Sequence, residues 1–215
     1  PVIGVRAYGE DAATVIDYGM AAMRGQRASG MAVTAKHFPG HGDTATDTHY
    51  AMALVPHDKE RLRAVELAPF RAAIAGGVDA IMTAHVVFPA FEADTSVPAT
   101  LSKGVLTDLL RGEMGYKGVV ITDCLEMAAI ADGIGIAQGA IATLQAGADI
   151  VLISHREAQQ TAAIDAVIAA VERGDIALSR IDAACARVAE LKRNRAVRDW
   201  RTRPVTPPAL MQPAA

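Results

Sequence analysis

The sequence predicts an α/β fold in which strands and helices alternate. Four short apolar runs lie at 31–35, 78–83, 118–122 and 148–153, and their uninterrupted apolar character indicates strands covered on both faces, as in a parallel sheet. Helical patterns lie between and after these runs, so the chain reads as a leading helix followed by about four βα units.

Polar residues follow the carboxyl end of every predicted strand. They are Lys36 and His37, His85, Asp123, and Ser154 with His155. In a (β/α)8 barrel all strand ends converge on one mouth, whereas an open doubly wound sheet binds its ligands at one switch point. The polar ends therefore favour the TIM barrel, of which four units amount to the C-terminal half.

Capping residues and a proline predict where the first helices begin. Asp11 is expected to cap a helix that runs to about Arg24, and Ser102 is expected to cap a helix over 103–111. Pro69 is expected to divide the pattern over 60–75 or to begin a second helix, because proline lacks the N–H that an interior position needs.

Two further helices follow the last strand. The first covers 158–173, stops at Gly174, and has apolar residues at helical spacing, namely Ile164, Val167, Ile168 and Val171. The second is capped by Ser179, and its apolar face carries Ile181, Ala184, Cys185, Val188 and Leu191. We expect the barrel part to span 1–199 and the proline-rich stretch 200–215 to be an irregular tail.

Composition narrows the class of partner. The chain has 215 residues, 51% of them hydrophobic, and a formal net charge of -3 without a basic stripe, so neither nucleic acid nor an anionic membrane surface is an expected partner. No apolar run approaches the ~20 residues that span a bilayer. A small molecule is the expected partner. Cys124 and Cys185 lack metal-ligand spacing and are expected to be buried free thiols, as in a reducing compartment.

The segment 36–49 concentrates ionisable side chains directly after the first predicted strand. Within it, Asp47 and His49 are separated by one residue, so an extended backbone points both the same way and lets the carboxylate orient the imidazole. Such a pair is competent for general acid/base chemistry, although a solvated surface loop has the same composition. Asp123, at the end of a buried strand, is either a functional carboxylate or a helix cap.

Several other residues are candidates for substrate binding. Arg6, Lys36 and His37 carry donors that suit sugar hydroxyls or an amide carbonyl, although ion pairs would also use the two cations. His85 either faces substrate or is a satisfied core histidine, and Met127 either lines the mouth or belongs to the core.

No motif predicts a cofactor or a catalytic metal. The histidines and aspartates of 36–49 match no HExxH or CxxC spacing, and the chain lacks a GxSxG elbow, a Walker loop and a GxGxxG fingerprint. A metal-dependent hydrolase that uses this segment remains an alternative, and loss of activity with a chelator would distinguish it.

Several motifs in the same order resemble glycoside hydrolase family 3 β-N-acetylglucosaminidases of the NagZ type. They are the start Pro1-Val2-Ile3-Gly4-Val5-Arg6-Ala7-Tyr8-Gly9, the run Lys36-His37-Phe38-Pro39-Gly40-His41-Gly42-Asp43 with Asp47-Thr48-His49, then Glu66-Leu67-Ala68-Pro69-Phe70, Ile81-Met82-Thr83-Ala84-His85, Pro98-Ala99-Thr100-Leu101-Ser102 and Ile121-Thr122-Asp123-Cys124-Leu125-Glu126-Met127. The resemblance covers most of residues 1–155 and implies a (β/α)8 barrel.

The resemblance also implies a retaining mechanism with a covalent glycosyl-enzyme intermediate. Asp123 matches the nucleophile, His49 the general acid/base and Asp47 its partner, while Arg6, Lys36 and His37 match residues that hold the N-acetylglucosamine ring. By the same analogy the substrate is a peptidoglycan-derived saccharide and the location is the cytoplasm. A histidine thus replaces one of the two carboxylates that glycosidases ordinarily use.

Three departures from the family pattern leave alternatives open. Thr48 stands where serine is usual, and Cys124 stands where aspartate or a small residue is common. The first strands of the family's barrel have no counterpart here. The alternatives are therefore an inactive fragment or a weakly sugar-binding half-barrel, and, as a minor one, a phosphorylase, because a neutral histidine does not repel a phosphate acceptor.

Overall fold

The computed structural model of the chain describes residues 3–44 and 52–195, and within them strands and helices alternate as predicted. The strands are β1 (Thr34–Phe38), β2 (Ala53–Leu54), β3 (Ala80–Thr83), β4 (Val86–Val87), β5 (Val119–Cys124) and β6 (Ile150–Leu152). The α-helices are α1 (Ala12–Ala28), α2 (Lys59–Ala64), α3 (Ala68–Ala75), α4 (Ala128–Ala131), α5 (Ile136–Ala146), α6 (Glu157–Glu172) and α7 (Leu178–Arg195). A π-helix spans Gly104–Glu113, and 3-10 turns span Gly4–Arg6 and Ala99–Leu101.

Four parallel strands form one sheet whose spatial order, β1-β3-β5-β6, follows their order along the chain. A doubly wound sheet reverses its strand order at a switch point, whereas a barrel does not. The order of these four strands is therefore that of consecutive barrel units, as the sequence predicts. The short strands β2 and β4 pair separately and in parallel, which the sequence did not predict.

The carboxyl ends of β1 and β5 each hold one extra residue relative to a neighbouring strand. Lys36 and His37 together lie opposite a single residue of β3, and Thr122 and Asp123 together lie opposite a single residue of β6. An extra residue of this kind bends a strand locally and redirects its side chains, and such bulges are common beside active sites.

The boundary of β1 corrects the sequence prediction. The predicted strand, 31–35, stops before Lys36, but β1 runs from Thr34 to Phe38. Lys36 and His37 therefore belong to the strand and not to the loop after it. The reason is that pairing with β3 continues as far as Phe38, beyond the end of the apolar run.

The predicted starts of the earlier helices are confirmed, but Ser179, which was expected to cap the last helix, lies within α7, because that helix already begins at Leu178. The carboxylate of Asp11 accepts a hydrogen bond of 2.9 Å from the N–H of Thr14 at the start of α1. Ser102 Oγ accepts one of 3.2 Å from Val105 N in the first turn of the π-helix. Pro69 lies in the first turn of α3 and does separate α3 from α2.

Helix α6 buries only part of the predicted face, because Val167 and Val171 pack against the core as expected but Ile164 and Ile168 do not. Ile164 and Ile168 are 60% and 52% exposed, while Ala163 and Ala170 are buried. The small alanines pack against α5, where Ala170 shares a cluster with Leu144. The buried face thus extends from Val167 and Val171 towards Ala163 and Ala170 and not towards the two isoleucines, because the packing partner, and not hydrophobicity alone, selects the face.

The two cysteines also differ from each other. Cys124 is buried as expected, but Cys185 is exposed, so the prediction of two buried thiols is wrong for Cys185. Helix α7 buries the preceding residue, Ala184, instead.

The largest hydrophobic core packs the first helices against the sheet, with Phe38, Phe70, Ile81, Leu106 and Val120 among its members. Two smaller clusters lie beneath α4 to α7. No helix in residues 3–44 and 52–195 has the length and apolarity needed to cross a membrane. The predicted tail, 200–215, lies outside the described residues.

Candidate active site

His37 and Asp123 meet at the carboxyl end of the sheet. His37 Nε2 lies 3.6 Å from Asp123 Oδ2, although β3 separates their two strands. Adjacent strands are ~4.8 Å apart, so side chains from β1 and β5 approach this closely only because both turn towards the same space. The extra residue in each strand at this point accounts for that convergence.

Asp123 keeps much of its carboxylate available. Its side chain is 20% exposed, and Oδ1 accepts a hydrogen bond of 2.8 Å from the N–H of Cys124. Oδ2 faces His37 at a distance longer than an ordinary hydrogen bond. One carboxylate oxygen is therefore fixed by the backbone, and the other points into the space that the strand ends share.

His37 is a neutral imidazole at neutral pH. Burial lowers its pKa to about 4, against the opposing effect of the Asp123 carboxylate, which raises it. The nearby charges of Lys36 and Arg6 lower the pKa further. The charges of both cations therefore act on His37, and their contact with a sugar stays a prediction. The imidazole can then donate or accept one hydrogen bond without neutralising Asp123.

His85 is hydrogen-bonded to the end of β5. It is buried, its Nε2 donates to the carbonyl oxygen of Cys124 over 3.0 Å, and its Nδ1 lies 2.8 Å from Thr100 Oγ1. Both ring nitrogens thus contact protein atoms. These contacts fix the backbone next to Asp123, and direct contact of His85 with substrate stays a prediction.

The remaining predicted site residues differ in their surroundings. Met127 is buried, and its N–H donates to the carbonyl oxygen of Cys124 over 3.1 Å. Arg6 lies in the 3-10 turn before α1 and is exposed, as is Lys36. Asp47 and His49, the predicted acid/base pair, lie outside the described residues.

Glu126 fastens the loop after β5 to the loop after β6. Its oxygens accept hydrogen bonds from the backbone N–H groups of Ser154, His155 and Arg156, at 2.9, 2.7 and 3.1 Å, and from the Arg156 guanidinium at 3.0 Å. Desolvation acts to raise the pKa of Glu126, but the bonds from Arg156 and His155 outweigh it and bring the pKa to about 2. The carboxylate is therefore ionised throughout the ordinary pH range.

A second network joins the residues on either side of 45–51. His57 Nε2 lies 2.7 Å from Asp43 Oδ2, and Arg61 is 3.8 Å from the same oxygen. Arg61 also donates to both oxygens of the buried Glu66, each at 2.7 Å. Gly40 lies against Glu66, where a Cβ would be 2.8 Å from Glu66 Cβ, so this close approach needs glycine. These contacts therefore join Asp43, before 45–51, to His57 and Arg61, after it.

The sequence singled out Glu126, as a residue that could line the mouth, and Asp43, as a possible metal ligand, but it predicted the pairings of neither network. Glu66 stands in one of the recognised motifs, and that is the signal that could have identified it. The partners of Glu126 lie 28 to 30 residues away along the chain, and His57 lies 14 residues from Asp43. No local pattern predicts pairs at such separations.

Chemically, these residues combine a positioned carboxylate with a neutral imidazole and two cations. An ionised Asp123 can attack an electrophilic carbon or stabilise positive charge on it. His37, Lys36 and Arg6 can donate to the hydroxyl and carbonyl oxygens of a ligand. This combination fits a neutral, hydroxyl-rich substrate whose reaction develops positive charge.

Known proteins have sequences similar to this chain. The family whose sequence model matches residues 1–191 is the glycosyl hydrolase family 3 N-terminal domain. A beta-hexosaminidase of Stenotrophomonas maltophilia (strain R551-3) is 46% identical over 155 residues, which make up 72% of this chain and 45% of that protein. Beta-hexosaminidase A of Pseudoalteromonas piscicida is 36% identical over 208 residues, with 89% and 35% covered.

A solved structure agrees with the sequence matches. The glycoside hydrolase family 3 beta-N-acetylglucosaminidase from Paenibacillus sp. str. FPU-7 superposes with a TM-score of 0.92 and 55% sequence identity, covering 97% of this chain and 39% of that one. The chain therefore spans less than half the length of each of these three relatives.

Proposed function

Because the chain belongs to the glycosyl hydrolase family 3 N-terminal domain family, we propose that it acts as a β-N-acetylhexosaminidase and removes terminal β-linked N-acetylglucosamine. The similarity to proteins named beta-hexosaminidase and beta-N-acetylglucosaminidase supports this substrate. By family analogy, the saccharide is derived from peptidoglycan in cell-wall recycling, and the protein works in the cytoplasm.

One observation carries the proposal, namely the position of Asp123 at the mouth. The carboxylate stands at the end of a buried strand, with one oxygen fixed by the N–H of Cys124 and the other facing His37. Since the pKa of His37 is about 4, the imidazole adds no positive charge at neutral pH. Asp123 is therefore oriented and is not neutralised by the histidine, as a nucleophile must be.

In the proposed reaction, Asp123 attacks the anomeric carbon and forms a covalent glycosyl-enzyme, while His49 protonates the departing glycosidic oxygen. His49 then takes a proton from water, which attacks the anomeric carbon and releases Asp123, so the product retains its configuration. Asp47 orients His49. The roles of Asp47 and His49 rest on the resemblance alone, because both lie outside the described residues.

The proposed sugar-binding residues supply complementary donors. Arg6, Lys36 and His37 would hold the hydroxyl and N-acetyl oxygens, because charged and imidazole N–H groups are the donors that such oxygens accept. His85 and Met127 would keep the end of β5 in place beneath the ring, since both donate to the carbonyl oxygen of Cys124.

The test is release of a chromophore from an aryl β-N-acetylglucosaminide by the full chain. Asp123→Ala is expected to lower kcat by roughly 10⁴-fold or more, since removal of a nucleophile eliminates the covalent route. Asp165→Ala, which changes an exposed carboxylate on α6, is the matched control and should leave turnover unchanged. Undiminished turnover by Asp123→Ala would contradict the assignment.

Two other outcomes separate the alternatives. If the folded wild-type chain binds N-acetylglucosamine but releases no chromophore, it is a sugar-binding half-barrel and not an enzyme. If turnover requires phosphate and yields N-acetylglucosamine 1-phosphate, the chain is a phosphorylase. Free N-acetylglucosamine formed equally with and without phosphate is the outcome expected of the hydrolase.

A further inference from the structure

A buried threonine lies directly before Asp123, at the point where β5 and β6 fall out of register. Thr122 and Asp123 together lie opposite a single residue of β6, and pairing resumes between Cys124 and Leu152. Thr122 is fully buried, whereas the side chain of Asp123 is 20% exposed at the mouth. Whatever holds Thr122 therefore also sets the backbone from which the Asp123 carboxylate extends.

Leu152 of β6 binds β5 on both sides of Asp123. Its N–H donates to Thr122 Oγ1 over 2.9 Å, and its carbonyl oxygen accepts a hydrogen bond of 2.9 Å from the N–H of Leu125. Asp123 lies between these two points of attachment. Because both bonds come from one residue of the neighbouring strand, a rotation of the segment 122–125 that turned Asp123 away would break at least one of them.

The first of these two bonds depends on the side chain, because its acceptor is the hydroxyl oxygen of Thr122. A backbone carbonyl is present whatever the residue is, but a hydroxyl at this position requires threonine or serine. An extra residue in a strand disturbs the ladder of backbone hydrogen bonds around it. The Thr122 hydroxyl supplies an acceptor at that place and so anchors the extra residue to β6.

Thr83, at the end of β3, provides a contrast. It is also fully buried, but its Oγ1 lies 2.8 Å from Thr100 Oγ1. Strand β3 pairs with β5 in an unbroken register. The hydroxyl of Thr83 thus contacts another side chain beside a regular pair of strands, whereas that of Thr122 contacts the backbone of the next strand where the register shifts.

We propose that Thr122 is a positioning residue for the reaction of Asp123, because its hydroxyl, held by the N–H of Leu152, directs the carboxylate towards the mouth. This role presupposes the function proposed above for Asp123. With the hydroxyl in place, Oδ1 accepts from the N–H of Cys124 at 2.8 Å and Oδ2 lies 3.6 Å from His37 Nε2. Without it, β5 can turn the carboxylate away, and a misplacement of ~1 Å at a reacting group costs roughly 100-fold in rate.

Turnover of an aryl β-N-acetylglucosaminide by matched variants of the full chain tests this role. Thr122→Val keeps the size of the side chain but removes the oxygen, and we expect kcat to fall roughly 10- to 100-fold while KM changes less than about threefold. Thr122→Ser restores the acceptor and should recover most of the loss. Thr107→Val is the control, because it removes a hydroxyl that donates to the carbonyl oxygen of Ala146 at the end of α5, away from the mouth. Thr122→Ala, which also lacks the oxygen, replaces the valine variant if that variant does not fold.

An NMR measurement tests the direction of Asp123 without any turnover. The ring nitrogens of His37 in histidine-labelled protein sense the carboxylate 3.6 Å away, and His37→Gln identifies their signals. We expect Thr122→Val to shift these signals in the same direction as Asp123→Asn does, and Thr122→Ser to leave them in place. Unshifted signals in Thr122→Val, an equal loss of kcat in Thr107→Val, or no recovery in Thr122→Ser would overturn the inference. A wild-type chain without turnover would instead contradict the proposed function, and the His37 signals would still decide whether Thr122 directs the carboxylate.

Discussion

At the amino ends of the strands a carboxylate is saturated with cations, whereas at the carboxyl ends Asp123 is left largely open. Asp149, fully buried before β6, has Arg111 at 2.7 Å, Arg187 at 2.9 Å and Arg180 at 3.2 Å, and it accepts a hydrogen bond of 3.0 Å from Val120 N. Every lone pair of that carboxylate has a donor, so nothing remains for a ligand.

Asp79, before β3, is also paired with arginine and with a backbone N–H, but it has one arginine where Asp149 has three. Oδ1 lies 2.7 Å from Arg195 Nε, and Oδ2 accepts a hydrogen bond of 3.0 Å from Val33 N. Asp79 and Asp149 thus each bind a backbone N–H at the preceding strand of the sheet, from Val33 directly before β1 and from Val120 within β5, and each pairs with an arginine of α7. Their carboxylates fix where neighbouring strands begin relative to each other.

Asp123 has a different environment. In the part of the chain that the structure describes, its carboxylate contacts one backbone N–H and, at 3.6 Å, His37. A carboxylate that is buried purely for stability acquires charged partners, whereas one kept for a reaction has to remain accessible. The difference teaches that carboxylates at the amino ends of this sheet are placed for stability, whereas the carboxylate proposed for the reaction, Asp123, is left accessible at the carboxyl ends.

Replacing Asp149 should have the largest effect on stability. Asp149→Asn keeps the shape of the side chain but leaves three arginines close together without their counter-charge, and we expect the free energy of unfolding to fall by about 3–5 kcal/mol. Urea unfolding monitored by circular dichroism measures the loss. Asp123→Asn is the control and should change the free energy by less than about 1 kcal/mol. Equal losses would abolish the distinction between the two ends.

The pH dependence of stability should reveal the buried His37. Burial lowers its folded-state pKa to about 4, while the unfolded chain has the ordinary value near 6.5. Between these values the unfolded state binds a proton that the native state does not, so stability is complete above pH ~6.5 and declines as the pH falls towards 4. The loss attributable to His37 is roughly 3 kcal/mol at pH 4.

This loss is measured as the difference between wild type and His37→Gln in unfolding free energy across pH 4 to 7. Other titrating groups are shared by the two chains and largely cancel. We expect the wild-type curve to fall more steeply on acidification than that of the variant. Parallel curves would mean that His37 is not held neutral, and the carboxyl end of the sheet would then tolerate a charged imidazole beside Asp123.

Local patterns explain why much of the fold could be predicted. Apolar runs mark strands, and caps such as Asp11 mark helix starts, because both depend on residues close together in the sequence. The grouping of His37, His85 and Asp123 was also predictable, since the carboxyl ends of parallel strands must lie at the same edge. His37 and Asp123 do meet there.

Features that depend on distant partners could not be predicted. The extra residues in β1 and β5 are defined only against the strands beside them. The pairing of Asp43 with His57, and of Glu126 with the loop after β6, joins segments that no short pattern connects. The face that α6 buries depends on α5, so periodicity alone selected Ile164 and Ile168 wrongly.

The smallest expected effect comes from Glu113, whose ion pairs resemble those of Asp149 but lie at the surface. Its carboxylate binds Arg63 at 2.9 Å and Arg71 at 2.8 Å, and all three side chains are 38–46% exposed. Because solvent screens such pairs, Glu113→Gln should cost less than about 1 kcal/mol, and high salt should reduce the cost further. Urea unfolding at low and high salt measures both effects.

If Glu113→Gln lowered the free energy of unfolding as much as Asp149→Asn does, the number of paired arginines, and not burial, would determine how much a carboxylate stabilises this protein. The small, salt-sensitive loss that we expect instead would show that a carboxylate stabilises this sheet only where it is both paired and shielded from water.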